Sequence, residues 1–269
     1  MARVAVQLTN FTGGELSPRL DGRNDLAKYA SGCSTLENLV VYPHGSAARR
    51  PGTNFVAAVK DSTKKTRLIP FEFSTTQTYM LEFGDQYIRF YKDNGQILSS
   101  GSAYEISTPY LEAELFDLKF AQSADVMYIC HPNHEVEKLS RTGHTSWSLT
   151  DVDFTKGPFL DPNTTATTLT PSAAGTGSRT ITASAVTGIN GGSGFLATDV
   201  GRQIHFNSGY GIITGRTNTT EITVNVTTAF ANANAITNWY LGAFSDTTGH
   251  PSCVTFFEQR LVFAATLNN

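Results

Sequence analysis

The sequence is poor in charge, has few cysteines and contains no long hydrophobic run. Only 16% of its 269 residues are charged and the formal net charge is −3, so no overall basic field draws the chain to DNA or to anionic lipid. No stretch approaches the roughly 18 apolar residues of a transmembrane helix, and we expect no membrane span. Cys33, Cys130 and Cys253 lie far apart among apolar neighbours, which indicates buried free thiols.

Catalytic and cofactor-binding motifs are also missing. There is no Gly-x-Ser-x-Gly elbow of an α/β hydrolase, and the glycine-rich segment Gly191-Gly-Ser-Gly194 lacks the Lys-Ser/Thr of a P-loop. Asp151 and Asp153 fall on one face of a strand, but no sequence feature places them in the cleft that glycosidase chemistry needs. The sequence therefore predicts no catalytic site, no cofactor and no enzyme.

One short segment carries several potential zinc ligands. It is Cys130-His131-Pro132-Asn133-His134, with His144 ten residues further on. Zinc sites usually take four ligands, often with a C-x₂₋₄-C pair, whereas only one thiol is present here. Because proline favours a turn, we interpret the segment as the end of a strand and predict no metal site.

The clearest positive feature is a structural unit that occurs twice between residues 67 and 154. Apolar and polar residues alternate in short runs separated by turn signals, as in half-buried strands of an antiparallel meander. The first copy predicts strands at 67–73, 78–83 and 86–91. The second predicts strands at 117–122, 126–130, 136–141 and 145–154. The beginning of a third copy follows, with strands predicted at 252–259 and 260–264.

The spacing between the first strands of the three copies suggests a β-propeller. When Phe71, Phe120 and Phe256 are aligned, the two intervals are 49 and 136 residues. Removing an inserted block of about 85 residues restores a period near 50, which with roughly four strands per unit is typical of propeller blades. We therefore predict a mainly β chain that forms an incomplete propeller of four-stranded antiparallel blades.

The composition changes at Gly157-Pro158, where a Thr-, Asn-, Gly- and Ala-rich region begins. Five short strands are predicted within it, at 179–183, 202–206, 211–214, 221–227 and 239–242. Short strands with glycine-rich turns favour a small barrel or sandwich. We interpret residues 160–247 as a domain inserted into the propeller, between blades at 67–159 and the start of a third blade at 248–269.

Residues 1–66 have a different pattern. A short strand at 4–8 leads into a Gly- and Pro-punctuated arm, of a kind that usually becomes ordered by packing on something else. Leu26, Tyr29, Cys33 and Leu36 have helical spacing after Asn24, which predicts a helix of about three turns. A strand is predicted at 39–42, and a second short helix after Thr108-Pro109, with Leu111, Leu115 and Leu118 on one side.

Several small motifs resemble one known family. In the N-terminal region they are Phe11-Thr-Gly-Gly-Glu-Leu-Ser-Pro18, Asp25-Leu-Ala-Lys-Tyr29, Leu36-Glu-Asn38, Pro43-His-Gly45 and Arg49-Arg-Pro-Gly52. In the blades they are Phe71-Glu-Phe73, Gln122-Ser-Ala-Asp125 and the His131-Pro132 turn. Together they resemble the tail-nozzle proteins of short-tailed bacteriophages, also called tail tubular or hub proteins.

The resemblance implies a structural virion protein, assembled in the host bacterial cytoplasm and located in the virion tail. It implies a homohexameric ring below the portal and adaptor, β-propeller domains in the ring wall, and an axial channel for double-stranded DNA during ejection. The implied partners are an adaptor or portal-proximal ring protein and tail fibre or needle proteins. Members of the family are typically longer, and we expect these 269 residues to be the N-terminal part of a larger structural unit.

Two groups of residues are candidates for contacts in such an assembly. The extended arm and a single amphipathic helix are too small to bury their own apolar side. The predicted subunit or adaptor interface consists of Phe11, Leu16, Leu26, Tyr29, Leu36, Arg49 and Arg50. The predicted channel or interface charges are Lys60, Lys64, Lys65 and Arg67. A short basic cluster of this kind is also compatible with an ordinary solvated surface.

Two other classes of function stay open on the sequence. A carbohydrate- or receptor-binding module of a tail fibre would need exposed aromatic side chains on the inserted region, such as Phe195, Tyr210 or Trp239. A sialidase- or depolymerase-like hydrolase would use a propeller, but the lack of a catalytic motif counts against it.

Overall fold

A computed structural model describes residues 7–74 and 77–266 of the chain. The protein is mainly β, as predicted, and its helical segments are short 3-10 turns. The chain forms two compact units, Met1–Phe55 and Val56–Asn269. The expected strand at 4–8 lies largely outside the described residues, and Gln7 and Leu8 belong to no strand.

The first unit contains two very small sheets. Strands β1 (Gly14–Glu15) and β2 (Gly32–Cys33) pair in parallel. Strands β3 (Leu39–Val41) and β4 (Ala47–Arg49) form an antiparallel hairpin, which confirms the strand predicted at 39–42. Two 3-10 turns complete the unit, at Pro18–Leu20 and Ala27–Ser31.

The helix predicted from Asn24 to Leu36 is wrong. Only the 3-10 turn Ala27–Ser31 forms, and the chain then enters β2. Helix nucleation is costly, and the second half of the segment is Ser-Gly-Cys-Ser-Thr, a poor helix former. Backbone bonds to the preceding arm take its place, because Leu16 N–H donates to the Cys33 carbonyl at 2.9 Å. The arm also packs closely against β2, since a Cβ atom on Gly32 would lie 2.5 Å from Leu16 Cγ.

In the second unit, the first repeat forms a sheet in the order β11-β7-β6-β5, with β8 paired to β7. A separate small hairpin is formed by β9 and β10. The strands are β5 (Arg67–Glu72), β6 (Thr78–Gly84), β7 (Tyr87–Lys92), β8 (Gly95–Gln96), β9 (Leu98–Ser99), β10 (Ser102–Ala103) and β11 (Glu105–Ser107). The three predicted strands are confirmed, and β8 and β11 are two further strands of this sheet that the alternation did not indicate.

The second repeat forms a four-stranded antiparallel meander in the order β12-β13-β14-β15. Its strands are β12 (Lys119–Ser123), β13 (Val126–His131), β14 (His134–Gly143) and β15 (Ser146–Asp151). All four were predicted. The two sheets share one hydrophobic core, in which Trp147 of the second sheet contacts Phe71, Tyr79 and Phe90 of the first.

The connection between these sheets was predicted as a short helix, and that prediction is wrong. It contains only a 3-10 turn at Glu112–Glu114, preceded by Leu111. Leu115 and Leu118 are fully buried, whereas Leu111 is largely exposed. The three leucines therefore do not share a helical face. The Arg67 side chain holds the connector instead, since Arg67 Nη1 donates to the carbonyls of Leu115 and Leu118 at 2.8 and 3.0 Å.

The Thr- and Gly-rich region forms one six-stranded antiparallel sheet in the order β16-β17-β20-β19-β18-β21. The strands are β16 (Leu169–Pro171), β17 (Gly175–Ala183), β18 (Gln203–Phe206), β19 (Gly209–Asn218), β20 (Glu221–Phe230) and β21 (Trp239–Leu241). Short 3-10 turns occur at Asn190–Gly192 and Ala197–Asp199. All five predicted strands are present, and β16 was missed.

This sheet has its own hydrophobic core and curls on itself. Leu169 of β16 pairs with Ile236, which precedes β21 at the opposite edge of the sheet. The arrangement is therefore a half-barrel made from one sheet, not a sandwich of two. The ends of the region are adjacent, because Ala243 N–H donates to the Pro158 carbonyl at 2.9 Å.

After this sheet the chain returns to the second repeat. Strands β22 (Cys253–Phe257) and β23 (Arg260–Ala264) form a hairpin. Both strands were predicted, at 252–259 and 260–264. β22 lies against β12 and β13, and Phe256 contacts Tyr128 with ring centroids 6.1 Å apart.

Candidate assembly surface and side-chain clusters

Within residues 7–55, the part of the first unit that the structure describes, there is no hydrophobic core. Across residues 7–55 only Gly32 and Gly45 are buried, and neither has a side chain. Leu39, Val40 and Tyr42 are exposed on and beside the β3–β4 hairpin, and Phe55 is 79% exposed. The second unit, in contrast, contains two clusters of fully buried apolar side chains. The first unit therefore displays apolar surface that nothing within residues 7–55 covers.

The predicted interface residues belong to this unit and none of them is buried. Phe11, Leu16, Leu26, Tyr29 and Leu36 are partly exposed, and Arg49 and Arg50 are exposed. Arg50 Nε donates to Asn38 Oδ1 at 2.7 Å. Sequence reasoning missed Leu39, Val40 and Tyr42 as surface residues, because a strand in a hairpin is normally assumed to bury one face.

The predicted channel or interface charges lie in the second unit, and most have partners there. Lys60 Nζ lies 2.6 Å from Glu105 Oε1, and Lys64 pairs with Asp85. The hydrogen bond from Lys64 lowers the pKa of the Asp85 carboxyl. Arg67 binds connector carbonyls and its guanidinium lies 5.2 Å from the Phe120 ring centre. Of the four, Lys65 projects its side chain most freely, while its backbone N–H donates to Glu112.

Asp151 and Asp153 line a cavity that the sequence did not indicate. The cavity lies between the second repeat and the inserted sheet, has a volume of about 150 Å³, and is also lined by Glu135 and His250. Burial, followed by the nearby Asp151 charge, raises the pKa of Glu135. Substrate pockets usually measure roughly 300–1,000 Å³. The cavity is therefore too small to hold an oligosaccharide.

The β13–β14 turn brings together three potential metal ligands. The predicted strand-ending turn is confirmed, and it places His131 and His134 as paired residues on its two sides. Glu114, from the connector, joins them, so that one ligand atom from each residue lies within 4.8 Å of the others. Cys130 is fully buried, and burial raises the pKa of its thiol to about 12. His144 is elsewhere, with Nδ1 2.7 Å from the Tyr79 hydroxyl.

A buried polar pair lies beneath this turn. The Tyr110 hydroxyl and Glu137 Oε2 are buried without a hydrogen bond from the described residues. Burial raises the pKa of the Glu137 carboxyl to about 7. The raised pKa favours the protonated carboxyl, the form that is least costly to bury.

Two of the three aromatic residues considered for glycan binding are buried. Phe195 and Trp239 lie in the core of the inserted sheet, and Trp239 Nε1 donates to the Thr167 carbonyl at 3.0 Å. Tyr210 is half-buried and stacks on His205, with ring centroids 4.3 Å apart.

The β22–β23 hairpin carries a second exposed apolar surface. Phe256, Phe257 and Val262 are exposed, Phe257 to 64%. Cys253 is exposed as well and Cys33 is half-buried, so the expectation of three buried thiols is confirmed only for Cys130. The hairpin turns between Phe257 and Arg260, where Glu258 and Gln259 both have positive φ.

Comparison with known proteins assigns no family to the chain. No protein-family model matches it, and no curated protein matches it. Among the described residues, no helix is long and apolar enough to cross a membrane.

Proposed function

We propose that the protein is a structural subunit of a ring in a bacteriophage tail nozzle, through which DNA passes during ejection. The observation that carries the proposal is the first unit, which displays Leu39, Val40, Tyr42 and Phe55 and buries no apolar side chain within residues 7–55. Apolar surface of this kind marks a protein interaction site. In the proposed ring it is covered by a neighbouring subunit or by the adaptor.

The small strands of the first unit support an assembly role. Two-residue and three-residue strands with no core beneath them contribute little stability by themselves. Packing on a neighbour supplies the missing burial, at about 25 cal/mol for each Å² of apolar surface removed from water. The predicted contacts Phe11, Leu16 and Tyr29, which are half-exposed, would gain burial in the same way.

The charge distribution fits a channel that DNA crosses without stopping. Each phosphate neutralised by a free lysine or arginine adds affinity, and a tight grip would oppose ejection. The chain has a formal net charge of −3. Lys60 and Lys64 already pair with Glu105 and Asp85. The pairing leaves little free positive charge in this region of the second unit.

The propeller arrangement is part of the same proposal. Two successive antiparallel meanders share one core, and the β22–β23 hairpin continues along β12 and β13. We interpret them as two propeller blades and the beginning of a third. Phe257 and Val262 of this hairpin are exposed, and a neighbouring subunit in the ring would cover them.

Neither competing function has a specific observation in its favour. The candidate glycan-binding aromatics Phe195 and Trp239 are buried. The carboxylates Asp151 and Asp153 line a cavity of only about 150 Å³.

Amide hydrogen exchange tests the proposal. In the assembled ring we expect strong protection of β3 and β4, because a neighbour covers them. In the dissociated chain the same amides should exchange quickly, while the amides of β6 and β13 stay protected. Equal exchange of β3 and β4 in both states would contradict the proposal.

A further inference from the structure

We infer that Glu114, His131 and His134 form a binding site for one divalent transition-metal ion, with Zn²⁺ as the best match. One ligand atom from each residue lies within 4.8 Å of the other two. Two imidazoles and one carboxylate are a common zinc donor set, and such a set leaves a coordination position for water. The hard ions Ca²⁺ and Mg²⁺ prefer oxygen ligands throughout. The inference does not depend on the proposed function.

The fold brings these ligands together from separate parts of the second unit. His131 ends β13 and His134 begins β14, and the two are direct partners in the ladder. Their rings therefore lie side by side, with centroids 5.1 Å apart. Glu114 comes from the 3-10 turn of the connector between the two repeats. A bound metal would cross-link this connector to the β13–β14 turn.

The ligands are held in place by their surroundings. Leu111 N–H donates to Glu114 Oε2 at 2.9 Å, and a hydrogen bond of this kind to a ligand fixes its orientation toward a metal ion. The Tyr110 ring meets the His134 ring edge-on, with centroids 5.2 Å apart. His131 is 2% exposed, so its ring has little freedom to turn away.

Without a metal the same groups satisfy one another. His134 Nε2 lies 2.9 Å from Glu114 Oε2, and Asn133 N–H donates to His131 Nδ1 at 3.2 Å. A metal would take the place of the first bond. At His131 it would replace the second bond if it bound Nδ1, or select the other tautomer if it bound Nε2. Three donors so close together need only small side-chain movements to coordinate an ion.

The test uses untagged protein that has been stripped with EDTA and dialysed. Isothermal titration with Zn²⁺ should show one equivalent bound per chain, and Co²⁺ should give the visible absorption bands of a four- or five-coordinate site. Zn²⁺ should also raise Tm, because it binds the folded state preferentially. Glu114→Gln and His134→Gln should each lose the Co²⁺ bands and the Tm increase.

His144→Gln is the matched control, because His144 is exposed and lies in the β14–β15 turn, away from the three proposed ligands. This variant should bind Zn²⁺ as the parent does. Circular dichroism establishes that each variant is folded. The inference is overturned if the parent binds no Zn²⁺, or if folded Glu114→Gln and His134→Gln bind it unchanged. It is also overturned if these variants lower Tm while Zn²⁺ has no effect on the parent, since the cluster would then be only a hydrogen-bonded pair.

Discussion

Asp199 and Arg202 form an ion pair in which both side chains are completely buried, with Arg202 Nη1 2.9 Å from Asp199 Oδ1. The pair lies at the end of the inserted sheet and is surrounded by hydrogen bonds. Arg202 Nε donates to the Gly242 carbonyl at 2.7 Å. The Leu196 N–H donates to Asp199 Oδ2 at 2.8 Å. These contacts connect the loop before β18 to the end of β21.

Replacing Arg202 with methionine should destabilise the inserted sheet by roughly 3–5 kcal/mol, because Asp199 would be left as a buried charge without its partner. Arg23→Met is the matched control. It breaks an ion pair with Asp25 whose side chains are 53% and 61% exposed, and exposed pairs of that kind contribute little to stability because water screens them.

Tryptophan fluorescence during urea unfolding measures this effect. The two tryptophans report on different cores, since Trp147 lies in the first and Trp239 in the second. In a Trp147→Phe background the Trp239 transition should move to lower urea concentration on Arg202→Met. An unchanged midpoint would show that the sheet does not depend on the pair.

Residues 160–247 should be replaceable by a short Gly-Ser linker without unfolding the two repeats. The replaced ends are close together, because Phe159 pairs with Gly242 and Pro158 bonds to Ala243. The sheet within this region also has its own core. Trp147 should stay buried in the shortened chain. Its fluorescence emission maximum and its unfolding transition measure this. Exposure of Trp147 in the shortened chain would contradict the interpretation of this region as an inserted domain.

Glu137 should make stability depend on pH. Its pKa in the folded state, about 7, lies above the ordinary value of 4.5, so the folded state binds more protons between these values. The free energy of unfolding should therefore fall as pH rises from about 4.5 to about 7, by at most about 1.4 kcal/mol per pH unit from this one group. The contribution is fully present below the ordinary pKa.

Glu137→Gln removes this titration and should flatten the dependence between pH 4.5 and 7. Urea unfolding across this range, with EDTA present throughout, compares the variant with the parent. Identical slopes for the two proteins would exclude Glu137 as the source.

Leu39→Asp combined with Val40→Asp should prevent assembly and leave the second unit folded. Both side chains are exposed on β3, so the change removes apolar contact area and adds charge that a packed interface would have to desolvate. Leu98→Asp is the control, because Leu98 is 55% exposed but lies in the second unit. Sedimentation velocity measures whether each variant assembles. Assembly that survives the double substitution would place the interface elsewhere.

The repeated sheets could be predicted because buried and exposed residues alternate along strands such as β5. In β5 the buried residues Ile69 and Phe71 alternate with exposed Leu68 and Pro70, and one face of the sheet is covered by a core. Even the low-complexity inserted region followed this rule, since Ile222, Val224 and Val226 of β20 are all buried. Alternation is a local property, so sequence alone reveals it.

The errors arose where tertiary contacts overrode local spacing. Leu26, Tyr29, Cys33 and Leu36 have helical spacing, but pairing with the preceding arm draws Gly32–Cys33 into a strand. The candidate metal cluster was incomplete for a similar reason. Glu114 precedes His131 by 17 residues and no ligand motif connects them, because the connector's path along the β13–β14 turn is set by packing.

The most direct test of the account is the mass and shape of the purified protein, measured by analytical ultracentrifugation and electron microscopy of the same sample. A ring subunit whose exposed apolar surface is covered by its neighbours should form closed rings with a central hole, of one defined number of subunits. A chain that stays monomeric at every concentration, with the amides of β3 and β4 already protected, would contradict the assembly role.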